Sequence, residues 1–258
     1  MTAAATAASA RAGRPKFYVW MATICALAAF GGFAPTYWMQ LPAGTFVGRP
    51  ILYLHGTLFS LWMLFYVAQS ALAASGRLAQ HRAWGIAGVS IATAMVLFGF
   101  GAALDSLRHG IAAGNGPAVK AFLVVPILSI LTFAGFFAAA IAYNRRAEIH
   151  KRLMLAANVA ILPAALARVF FVLQTGGGPG MRPGIGAPPP VAIAVVPALI
   201  CMLLIVAAIV HDWRTRGRPH PANLISLAIL LAVTFAFAPL SKTKAWLDFA
   251  DAYAGVVA

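Results

Sequence analysis

Acidic side chains are nearly absent from this 258-residue chain. Asp105, Glu148, Asp212, Asp248 and Asp251 are all it has, and charged residues of both signs make up only 9% of it. A soluble globular chain carries about 25%, so this one lacks the polar groups to cover a water-facing surface. A soluble enzyme and a disordered chain are excluded on that ground. Cysteine is scarce as well. Cys25 and Cys201 both fall inside apolar runs, with no CxxC and no CxxCH, which excludes a disulfide framework and a covalently attached c-type haem. The chain also lacks HExxH, a Walker loop, GxSxG and any cluster of acidic ligands. The familiar metalloprotease, nucleotide-binding and serine-hydrolase chemistries go with them. No acid stands inside any apolar run, so a carboxylate pair working within the membrane is excluded, and no residue is assigned a catalytic role.

What the chain does contain is apolar surface: 62% of its residues are hydrophobic and its mean hydropathy is +0.87. A helix needs about 20 apolar residues to cross the hydrocarbon. Seven such runs occur, at residues 17–34, 50–75, 84–104, 121–144, 153–174, 191–210 and 223–240. They are too long and too uniform for barrel strands, and backbone groups in lipid must bond internally. The expected fold is all-α, a polytopic bundle of seven transmembrane helices. Residues 1–16 are expected to form a disordered tail, 17–241 the membrane domain, and 242–258 a tail lying on the outer interface as a short amphipathic helix.

The net charge of +14 does not point to nucleic acid, because the bases sit in short clusters between apolar runs. With the N-terminus inside, the inner segments hold twelve Lys and Arg and the outer segments six. That asymmetry predicts N-in, C-out in a bacterial inner membrane. The first run exceeds a signal-peptide core and ends without a clean A-x-A site, so it reads as a retained span. Residues 176–190, GGGPGMRPGIGAPPP, cannot form a helix. They read as an irregular outer loop, either a plain linker or a lid over a cavity.

Ionisable groups within spans are costly and mark candidate sites. His55, Trp62 and Gln69 follow one another at seven-residue steps, which places them on one stripe of a helix. The stripe is either a ligand surface or an interhelical hydrogen-bonding seam. Arg168 lies sixteen residues beyond Arg152, roughly 24 Å along a helix, at a depth like that of His55. An arginine keeps its proton and so requires an acceptor, water, an anionic ligand or a reach to the headgroups. His81, His150 and His220 each stand at the inner start of an outward-going span. Three imidazoles at one depth could hold a metal, and two could bracket a haem iron; the alternative is that they anchor helix ends. Asp212 could orient one of the imidazoles or pair with Arg214 or Arg216. His109 and His211 read as solvent-facing. Pro126, Pro163 and Pro197 each interrupt a span. A faint repeat links the turns QHRAWGIAG and IHKRLMLAA, each closing on His followed by a base.

The order LHGTLFSLWMLFYVAQ, QHRAWGIAG, EIHKRLMLAANVAILPAALAR and HDWRTRGRPHP resembles a bacterial family of multi-pass inner-membrane proteins to which no activity is assigned. It covers the chain from the second span to the start of the seventh. The two histidine turns are more loosely similar to those of transmembrane b-type cytochromes, which place haem-ligating histidines on facing helices in pairs near both faces. His55 has no outer partner in a neighbouring span, so the resemblance implies one inner haem b at most.

Three functions remain open. One is a haem- or metal-associated protein built on His81, His150 and His220. Another is a transport or binding protein for a small anionic or lipid-like ligand, with an outer cavity lined by His55, Trp62, Gln69 and Arg168. The third is an accessory subunit without cofactor or substrate. The lipid bilayer is the one partner implied; protein partners and any bare metal are not specified. The topology itself is testable: reporter fusions at Asn115 and Ala258 should report the outer side and one near Ala147 the inner side. An inner Ala258 would contradict the odd number of spans.

Overall fold

The computed structural model describes residues 16–181 and 186–255. The N-terminal tail through residue 15 and Arg182 lie outside them. Seven helices are long and apolar enough to cross a membrane, and among the described residues no strand occurs. The chain is a multi-pass membrane protein. The first span is α1 (Phe17–Phe33), continued by a π-helical turn at Ala34–Trp38. The second is α2 (Pro50–Ala74) and the third α3 (Leu78–Ala112). The fourth divides into α4 (Gly116–Phe122) and α5 (Val124–Ala142), and the fifth into α6 (Ala147–Ile161) and α7 (Pro163–Thr175). A 3-10 turn at Val191–Ala194 leads into α8 (Val195–Arg216), followed by α9 (Pro221–Leu240) and α10 (Lys244–Gly255).

The spans overrun their expected bounds where polar residues continue a helix into its turn. The third was expected from Trp84 but begins at Leu78, so His81 and Arg82 are helical. Gly76 explains the tightness of that turn: its φ of +82° is a left-handed conformation that reverses the chain after α2 at no steric cost. Pro163 splits the fifth span as anticipated, since it has no N–H to donate to the preceding turn.

The tail beyond Ser241 folds back as α10. Trp246 Nε1 donates to the Lys120 carbonyl at 2.9 Å, Tyr253 Oη donates to the Phe100 carbonyl at 2.7 Å, and Lys120 pairs with Asp251. It therefore clasps α3 and α4 rather than lying only along an interface.

Helix α6 is the hub. It packs against α1, α5, α8 and α9, and nine of its fifteen residues are buried. Ala156, Ala157 and Ala160 let the neighbours approach, while Leu155 and Val159 pack with Trp62, Met95, Phe133 and Ile205 in one core. At the contact between α1 and α7, Gly32 lies so close to the Ala165 carbonyl that a Cβ would overlap it.

At the end where α6 begins, the core holds charge. Arg152 and Asp212 are each about 1% exposed and form a two-pronged pair, Nε donating to Oδ2 at 2.9 Å and Nη2 meeting Oδ1. Arg152 Nη1 also donates to the Glu148 carboxylate at 2.8 Å, which accepts from Arg216 at 2.8 Å as well. Asn223 Nδ2 donates to Asp212 Oδ2 at 2.8 Å. One network thus fastens α6, α8 and α9.

Two expectations are corrected here. Acids do occur within the helical spans, because Asp105, Glu148 and Asp212 lie in helix ends that hydropathy counted as loops. Asp212 takes neither an imidazole nor Arg214 or Arg216 as its charged partner; Arg152 holds it. Removing one member of a buried pair strands the other, at a cost of about 3–5 kcal/mol. Asp212→Leu should therefore lower unfolding stability by about that much, while Arg152→Met combined with Asp212→Leu should recover most of the loss in the same unfolding titration.

Candidate functional site

The α2–α3 and α5–α6 hairpins place a histidine in the first turns of α3 and α6. Each ring reaches back to a carbonyl near the end of the preceding helix. His81 Nδ1 lies 3.2 Å from the Gln69 oxygen and His150 Nδ1 lies 2.8 Å from the Ala140 oxygen. A carbonyl only accepts, so each Nδ1 is the nitrogen that donates and Nε2 is the one left to carry a lone pair. The two anchored rings meet at a centroid distance of 6.2 Å with their planes 84° apart. A cavity of about 630 Å³ is lined by Gln69, Ser75, Arg77, Trp84 and apolar residues of α2, and neither histidine is among its lining residues. Arg77 and Trp84 share the His81 face of α3 by their spacing. Both hairpins use the same device, which gives physical content to the repeat seen in the sequence.

His220 does not join them. It is the N-cap of α9, and its Nδ1 accepts from the Ala222 N–H at 3.1 Å. Burial, reinforced by the Arg152 and Arg216 guanidiniums, lowers its pKa from the usual histidine value, which keeps that nitrogen free to accept. Among the described residues no three His, Cys, Asp or Glu side chains come together to hold a metal. The three-histidine site is thereby reduced to a pair, because His220-Pro221 uses its imidazole to start a helix. His211 is half-buried, its ring stacked on Phe17 at 3.9 Å.

Towards the other end of the bundle, a second cavity of about 1000 Å³ contains His55 and Arg168. Pro126, Pro163 and Pro197 all line it, so the three interruptions of the spans surround one space. Residues on both sides of the undescribed stretch, Met181 and Gly186, border it too. Gln40 ties this loop down, its Nε2 donating to the Met181 carbonyl at 2.8 Å. Arg168 turns along the bundle, its guanidinium 4.3 Å from the Phe33 ring centre and Nη1 donating to the Ala164 carbonyl at 3.1 Å. Its charge acts on the His55 imidazole.

Trp62 and Gln69 do not line this cavity. From His55 to Gln69 is fourteen residues, about 21 Å of helix, too far for one pocket. Trp62 is about 1% exposed and donates from Nε1 to Asn158 Oδ1 at 2.9 Å, a seam between α2 and α6. Gln69 belongs with His81 through its carbonyl. The polar stripe is real, but each of its members serves a different site. Asn158 and Asn223, which organise these contacts, carry no charge and so gave no signal in the sequence beyond their presence in apolar surroundings.

Comparison with protein-family models, with curated proteins and with solved structures gives no match.

The capping role of His220 has a direct test. Losing an N-cap costs about 1 kcal/mol, so His220→Ala should destabilise by that amount. His220→Asn should be close to neutral, and neither should alter a spectroscopic signal arising from His81 and His150.

Proposed function

We propose that this protein is a bacterial inner-membrane haem protein in which His81 and His150 would hold a single b-type haem near the cytoplasmic face. One observation carries the reading: two imidazoles from different helices, each anchored through Nδ1 by a carbonyl, present their centres at 6.2 Å. An iron between two imidazoles, with metal–nitrogen bonds of ~2.0 Å on either side, spaces ring centres by about 6 Å. The carbonyl bonds supply what ligating histidines need from their surroundings, a fixed tautomer and a fixed ring direction.

A pair of imidazoles without a third protein ligand suits a macrocycle better than a bare ion. A porphyrin brings four nitrogens of its own, whereas a structural zinc site takes four from the protein. The cavity along α2, walled mostly by apolar residues, includes Gln69, whose carbonyl holds His81, and Arg77, a cation suited to a propionate. Bound there, a haem would supply one-electron transfer. The chain's own part is to hold both rings, and the Arg152–Asp212 network fixes the helix that carries His150. The N-in orientation follows from the basic clusters at this end. The resemblance to b-type cytochromes in the histidine turns points the same way.

The protein purified in detergent from cells supplied with haem should show a reduced-minus-oxidised b-type absorption difference at one haem per chain. His81→Ala and His150→Ala should each abolish it, while His220→Ala and His55→Ala should leave it intact. A colourless wild-type protein, or one whose signal survives both substitutions, would overturn the proposal.

A further inference from the structure

The cavity at the far end of the bundle is distinct from the imidazole pair: along the fifth span, His150 and Arg168 are eighteen residues apart, about 27 Å. Its volume of about 1000 Å³ lies at the upper end of the ~300–1000 Å³ usual for small-molecule sites. Its walls are mostly apolar, with rings such as Phe33, Phe59 and Phe171, and suit a hydrocarbon body. Several hydroxyls on those walls are spent on their own helices. Ser60 donates to the Gly56 carbonyl at 2.7 Å, Thr132 to the Leu128 carbonyl at 2.7 Å and Thr175 to the Phe171 carbonyl at 2.8 Å. The Arg168 guanidinium is engaged as well, by the Phe33 ring and the Ala164 carbonyl.

Two other polar atoms of the lining are buried without a partner among the described residues, His55 Nδ1 and Thr36 Oγ1. Thr36 is 3% exposed and stands in the π-helical turn at Ala34–Trp38. That turn breaks the α-helical register, and in it the hydroxyl does not find the kind of carbonyl that serves Ser60, Thr132 and Thr175. The two atoms come from adjoining elements. The Tyr37 ring, next to Thr36 in sequence, lies so close to Gly56, next to His55, that a Cβ there would overlap it. Tyr37 Oη also donates to the Tyr53 carbonyl at 3.0 Å. The π turn and the start of α2 therefore share one end of the cavity. A buried polar atom left unpaired costs free energy that a bound polar group relieves.

We propose that this cavity binds a neutral lipid alcohol, its hydroxyl on His55 Nδ1 and its hydrocarbon body along the ring-bearing walls. A hydroxyl both donates and accepts, so it serves an imidazole nitrogen in either tautomer. Thr36 makes that end of the cavity more polar than the rest and so favours the head there over the chain. An alkane of equal length fills the same walls but leaves the nitrogen unpaired. A carboxylate would have to bury a full charge, which a hydroxyl does not.

The test is photolabelling of the purified full-length protein by hexadecanol carrying a diazirine near the middle of its chain, at fixed detergent concentration and alkaline pH. Labelling should saturate at one site per chain and fall on peptides of the cavity walls. Unlabelled hexadecanol should displace the probe at least about tenfold better than heptadecane, and better than ionised palmitic acid. His55→Phe should weaken binding about tenfold, as expected for losing one buried hydrogen bond, and should remove the preference for the alcohol over the alkane. His81→Ala should leave binding unchanged, which separates this site from the haem reading. Non-saturable labelling, equal displacement by heptadecane, or stronger displacement by palmitic acid would overturn the proposal, as would an undiminished alcohol preference in a folded His55→Phe protein. If that variant fails to fold, the alcohol, alkane and acid series on the wild-type protein decides.

Discussion

The buried pair between Arg152 and Asp212 is the constraint on which the arrangement at the basic end depends. It joins residues 60 positions apart and brings Asn223 and Glu148 with it, so the start of α6, the end of α8 and the start of α9 share one set of hydrogen bonds. Helix α6 is also the hub of the bundle, and His150 stands two residues before Arg152. Fixing the rotation of α6 fixes the direction of that imidazole. Two charges withdrawn from water cost several kcal/mol each unless their bonds are well met. Here Arg152 donates to two carboxylates and to a carbonyl, and Asp212 accepts from both an arginine and an amide. The network costs little when whole and much when halved, which makes it a locator for the helix.

The seven spans were legible because membrane solvation leaves few options: an apolar run of sufficient length must become a helix. Their ends were less so, since hydropathy assigns charged residues to loops. That is why hydropathy puts Asp105, Glu148 and Asp212 outside the spans although their helices include them. His81 and His150 were legible as candidates from the matching turns, but not their convergence. Their meeting depends on α3 and α5 packing together, which no local pattern encodes. Depth alone groups His220 with them, but the local chemistry of His-Pro at a helix start makes it a cap. Trp62 followed His55 in register yet faces Asn158, a partner from another span that period-seven spacing cannot reveal.

The molecule keeps its two polar regions apart. Near one end, a pair of imidazoles is held by backbone carbonyls. Near the other, a single arginine and an unsatisfied histidine face a cavity opened by three prolines. Between them Trp62, Met95, Phe133 and Leu155 are fully buried and close-packed. In hydrocarbon, irregular backbone is tolerated only where protein or a cavity covers it. The interrupted fourth, fifth and sixth spans meet that condition by facing the same space.

The central claim is that His81 and His150 act together on one iron. Electron paramagnetic resonance of the oxidised protein tests it most directly, because the two ring planes stand 84° apart. If both rings hold one iron, their near-perpendicular planes should give a strongly anisotropic low-spin iron(III) signal, lost in either single variant. A high-spin signal would mean that one imidazole stands off the metal, and the absence of any haem iron signal would contradict the account altogether.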